Sequence, residues 1–85
     1  MKFKLRKNLF EVLEKVPDAA EYLRDISKEN EDVSFMIEQD DIQEVQLLIN
    51  DEIVLNGMDE QETVNDLGLK LYKLYDEILY QKKNR

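Results

Sequence analysis

The chain has 85 residues, 42% of them hydrophobic, and its 20 acidic and 12 basic side chains leave a net charge of −8. It contains no histidine, cysteine or tryptophan, which removes disulfides, thiolate metal sites and the imidazole base that most nucleophilic catalysis uses. One domain spanning residues 1–85 is expected at this length, and the periodic apolar residues argue against disorder.

The basic start, Met1 to Lys7, runs into no long apolar stretch, so it does not read as a signal peptide. No apolar run approaches the ~20 residues of a membrane span, and a soluble, cytoplasmic protein is expected. Leu5, Leu9, Leu13, Val16, Ala20, Leu23 and Ser27 follow at helical spacing, widened by Phe10 and Val12. Pro17 interrupts the pattern, and a proline is best tolerated at a first helical position. Two helices are therefore expected, over about 5–15 and 17–29.

The period then changes to two. Val33, Phe35 and Ile37 alternate with Ser34, Met36 and Glu38, and Val45, Leu47 and Ile49 with Glu44, Gln46 and Leu48, with Ile53 and Leu55 after Asn50-Asp51-Glu52. Strands over about 33–38, 43–49 and 52–56 joined as an antiparallel meander are the expectation. A register with one apolar face places Val33, Phe35, Ile37, Val45, Leu47, Ile49, Ile53 and Leu55 inward. Ser34, Met36, Glu38, Glu44, Gln46, Leu48, Val54 and Asn56 then face outward.

Gly57 closes the sheet, and Asp59 with Glu62 three residues on approximates a capping box for a long helix over about 59–82. Its core arc would hold Val64, Leu67, Leu71, Tyr72, Leu74, Tyr75, Ile78 and Leu79. The fold class is thus α+β: amino-terminal helices, a three-stranded antiparallel meander, and a long carboxyl-terminal helix packed on one sheet face.

Charge is segregated along this plan. Between Lys28 and Lys70 lie thirteen carboxylates and no lysine or arginine. On a meander, Glu38, Asp40, Asp41 and Glu44 gather near Asp59, Glu60 and Glu62 at one end of the sheet. Glu29, Glu31 and Asp32 approach Asp51 and Glu52 at the other. Unpaired like charges oppose compaction, so the first of these clusters is the expected partner-binding site. Leu69 and Tyr80, opposite the helix's core arc, join outward Met36, Leu48 and Val54 as candidate self-association residues.

Other chemistry finds little support. The aliphatic hydroxyls are Ser27, Ser34 and Thr63, and so small a sheet offers no evident cleft, so no enzyme is expected. Counting back from Gly57 as the sixth residue of a calcium loop puts Val54 at a ligand position. No metal and no cofactor are expected. Direct nucleic-acid binding needs a basic footprint, and Lys2, Lys4, Arg6 and Lys7 make only a short one, equally suited to neutralising the chain's own acids.

In size, charge and mixed make-up the chain is similar to small acidic inhibitors encoded by bacteriophages, DNA mimics and some anti-CRISPR proteins among them. The likeness is one of general character, and no residue role is carried over from it. The expected function is a non-enzymatic module that inhibits or regulates a basic, nucleic-acid-binding protein. The alternative is a small structural or assembly protein that homodimerises, its acidic surface serving solubility.

Overall fold

The computed structural model describes residues 1–58 and 64–84. It has the expected class, an α+β domain with a three-stranded antiparallel sheet and a carboxyl-terminal helix against the strands. The segments that supply these elements differ from the sequence expectation.

The first strand, β1 (Lys2–Arg6), precedes any helix. Phe3 and Leu5 are buried, while Lys2, Lys4 and Arg6 face solvent, a strict two-residue alternation. The helix expected from about residue 5 is therefore shorter. Helix α1 (Lys7–Glu14) follows β1 directly and buries Phe10, Val12 and Leu13. It stops before Pro17, whose ring would clash with the preceding turn.

The second expected helix, 17–29, does not form. Asp18 adopts a left-handed backbone, with φ 67°, and a single 3₁₀ turn, Ala19–Tyr22, leads into strand β2 (Arg24–Lys28). Every residue of β2 is exposed, so no apolar pattern marked it as a strand. Pairing with β3 (Asp32–Met36) holds it in place, through Ser27 against Ser34 and Lys28 against Val33. The register shifts between Arg24 and Ser27, and Asp25 there has φ 51°, the mark of a bulge.

The sheet order is β1-β3-β2, all neighbours antiparallel. β3 inserts between the two earlier strands, so the sheet is not a sequential meander. Phe3 stacks on Phe35 with ring centroids 5.8 Å apart, and Phe10 of α1 meets Phe35 at 5.5 Å. Such aromatic pairs contribute about 0.5–1.5 kcal/mol each beyond their burial.

The largest correction concerns residues 42–56. The strands expected at 43–49 and 52–56 are one helix, α2 (Ile42–Asn56), entered through a 3₁₀ turn, Gln39–Asp41. Ile42, Val45, Gln46, Ile49 and Ile53 are its buried residues, at helical spacing. Leu47 and Leu55, expected inward, are 50% and 74% exposed, and Gln46, expected outward, is 6% exposed. Val45, Ile49 and Ile53 satisfy both periods, which is why the alternation misleads. Gln, Glu and Leu favour a helix intrinsically, and Asn50-Asp51-Glu52 holds no glycine or proline to break one.

Helix α3 (Asp66–Lys83) begins later than expected. The Asn65 side chain caps it by accepting from the Gly68 amide at 2.8 Å. Met58 and Val64 form an isolated antiparallel bridge, so Val64 precedes the helix. The capping-box residues Asp59 and Glu62 lie outside the described residues. Leu71, Leu74 and Ile78 are buried as expected, whereas Leu67 and Tyr72 are exposed. α3 packs on α2, α1 and β1. A Cβ on Gly57 would come within 2.9 Å of Gly68 Cα, and one on Gly68 would overlap the Gly57 carbonyl. The two backbones therefore meet where side chains cannot fit.

One sheet edge is closed by a side chain. The Lys4 amide donates to Gln81 Oε1 at 3.0 Å, and Gln81 Nε2 donates to the Lys4 carbonyl at 2.7 Å. A helix residue thereby occupies the free edge of β1, where an unpaired strand would otherwise template association. Among the described residues, no helix is long and apolar enough to cross a membrane.

Candidate functional site: an acidic surface around Tyr22

The carboxylates of the long acidic segment have two different surroundings. Glu31 and Asp32 stand at the β2–β3 connection, where the β1 register lays Arg6 opposite Asp32. Arg6 donates to Glu31 at 2.9 Å and approaches Asp32 to 3.8 Å, and Lys4 lies 3.8 Å from Asp32. All three pairs are solvent-exposed, worth at most about 1 kcal/mol each. They do balance charge locally, using the basic amino-terminal run. The expected meeting of Glu31 and Asp32 with Asp51 and Glu52 does not follow, because those two lie late in α2, which packs chiefly on α3 and the 3₁₀ turns.

The other surroundings hold no such balance. Glu38, Asp40, Asp41 and Glu44 line the 3₁₀ turn and first turn of α2. Negative charge at a helix start is favoured by the helix dipole, which offsets part of the cost of gathering it there. The fold then packs the earlier 3₁₀ turn against α2, bringing Asp18 and Glu21 toward the same place. Partial burial is the first cause holding the Tyr22 hydroxyl above its ordinary value of 10.0. The charges of Glu44, Asp41, Glu21 and Asp18 follow in that order. Tyr22 thus feels the charge of four carboxylates drawn from two separate segments. Among the described residues, none of the four forms an ion pair.

Of the residues singled out from the sequence, Glu38, Asp40, Asp41 and Glu44 are adjacent on one stretch of chain. Asp59, Glu60 and Glu62 lie outside the described residues. Asp18, Glu21 and Tyr22 were not singled out. Their one signal is Pro17-Asp18, a pair that suits a turn as well as a helix start. The candidate self-association residues are carried by three elements. Met36 faces solvent on the sheet, Leu48 is partly buried against the core, and Val54 is exposed on α2. Leu69 and Tyr80 are exposed on α3.

Compared with protein-family models, with curated proteins and with solved structures, the chain matches none. Its geometry and charge therefore carry the functional argument.

Proposed function

We propose that the protein is a small, non-enzymatic, cytoplasmic protein-binding module that inhibits or regulates a partner through its acidic surface. The partner offers a basic surface of the kind that holds nucleic acid, as the targets of phage-encoded DNA mimics and anti-CRISPR proteins do. One observation carries this reading: four carboxylates from two segments act on Tyr22, and none of the four forms an ion pair among the described residues. Glu38 and Asp40 extend the same surface. Like charges held together raise the energy of the isolated protein, and a basic partner relieves that repulsion on docking. Complementary potentials also speed encounter and fix orientation.

The test is affinity capture with a purified basic partner from the host lysate, repeated with Asp40→Lys/Asp41→Lys and across salt concentration. Capture should weaken about tenfold or more on charge reversal and fall with rising salt, while thermal unfolding stays near wild type. Binding that ignores both changes would sink the reading.

A further inference from the structure

The solvent face of the sheet has the opposite character from the acidic end, and the two adjoin. Lys2, Lys4 and Arg6 alternate outward from β1. Across the ladder, Met36 is the register partner of Lys2 on one side and of Arg24 on the other. Residues in register share a face, so Met36, 39% exposed, lies between two cations. Arg6 and Lys4 are engaged by Glu31 and Asp32, but Lys2 and Arg24 have no ion-pair partner among the described residues. Two residues past Met36 comes Glu38, which lines one shallow pocket together with Arg24, Asp25 and Met36. Glu38 is also the entry to the acidic turn of Asp40 and Asp41. Arg24, Met36 and the carboxylates Asp25 and Glu38 therefore share one pocket, from which the chain runs directly into the acidic turn.

We propose that this surface is self-complementary and binds a second copy of the chain about a two-fold axis near Met36. Lys2 and Arg24 of each copy meet Glu38, Asp40 and Asp41 of the other. A two-fold contact requires that if one residue touches another, the reverse contact also exists, and neighbouring patches of opposite sign meet that requirement. Met36 supplies the apolar centre within a polar rim, the ordinary anatomy of an interface.

A nucleic-acid strand suits this face less well. Base stacking needs exposed aromatics, whereas Phe3 and Phe35 point into the core, each 0% exposed. The net charge of −8 also repels a polyanion. The same net charge opposes two copies at long range. Salt near 0.1 M, with a Debye length of about 10 Å, screens that repulsion more than the contact pairs, whereas 1 M salt, about 3 Å, weakens the pairs as well. Dimerisation is therefore strongest at intermediate salt.

The proposal rests on the acidic end being a docking surface, and it adds the basic half that the earlier reading lacks. Sedimentation equilibrium of the full chain tests it. Wild type should dimerise most tightly near 0.1 M salt and dissociate on going to about 1 M. Lys2→Glu/Arg24→Glu and Asp40→Lys/Asp41→Lys should each be monomeric at concentrations where wild type is dimeric, with unchanged circular dichroism. Mixed together, the two variants should form a heterodimer, because both crossed contacts are again between opposite charges. A wild-type monomer at all salt concentrations, dimers unaffected by either reversal, or a mixture that stays monomeric would each overturn it. So would a fluorescent oligothymidine that binds wild type and is lost in Lys2→Glu/Arg24→Glu, since that result assigns the face to nucleic acid. Lys2→Glu/Arg24→Glu leaves the acidic end intact, so capture of the basic partner by this variant separates failure of the dimer from failure of the docking reading.

Discussion

Glu31 and Asp32 at one end of the molecule, and Asp41 and Glu44 at the other, belong to the same cation-free stretch of sequence, yet they meet opposite fates. The first two are neutralised by Arg6 and Lys4. The second two are joined by Asp18 and Glu21 around Tyr22. Strand pairing makes the difference. The β1–β3 ladder carries Lys4 and Arg6 to the hairpin, whereas Asp41 and Glu44 form no ion pair among the described residues. A run of like charge is therefore compensated or concentrated according to which distant segment the fold lays against it.

The largest test removes what holds the compensated end together. Phe35→Ala takes away the side chain that packs on both Phe3 and Phe10 and should cost about 3–5 kcal/mol by denaturant titration. Gln46→Met probes the helix behind the uncompensated end. Gln46 is buried and its Nε2 has no partner among the described residues, so an apolar residue of similar shape should stabilise the fold by about 1 kcal/mol. Neutralising one acid in each region sharpens the contrast further. Asp32→Asn loses its attraction to Lys4 and Arg6 and should cost about 0.5 kcal/mol. Glu21→Gln relieves repulsion and should be neutral or slightly stabilising. Thermal melts showing the same sign for both would remove the distinction.

The smallest effect is spectroscopic. The absorbance difference between wild type and Tyr22→Phe isolates the Tyr22 titration, which should lie above 10.0. In Glu44→Gln it should move back toward that value. The hydroxyl is harder to ionise in the folded protein, so its contribution to stability is complete below the unfolded value. That contribution is lost as pH rises through the folded one. A Tyr22 titration at 10.0, unmoved by Glu44→Gln, would separate Tyr22 from these carboxylates.

Much of the core was legible without a fold. Val33, Phe35, Ile37, Val45, Ile49, Ile53, Leu71, Leu74 and Ile78 are apolar residues that the sequence pattern places inward, and all are buried. The element types were less secure. Phe3 and Leu5 between Lys2, Lys4 and Arg6 carried a clear strand alternation that the helical spacing beyond Leu5 obscured. In β2 nothing was available to detect, because an edge strand exposed at every residue has no alternation. Residues 42–56 fit both periods, and only burial of Gln46 with exposure of Leu47 and Leu55 decides between them.

By itself the sequence determined an α+β domain with a carboxyl-terminal helix, the identity of most core residues, and a middle segment rich in carboxylates and free of lysine and arginine. These depend on composition and on local patterns along the chain. Tertiary structure alone decided which acids are neutralised, that Asp18 and Glu21 join Asp41 and Glu44, and that Lys2 and Arg24 flank Met36. Those relations depend on strand order and register, which bring together residues far apart in the chain, and no local pattern encodes them.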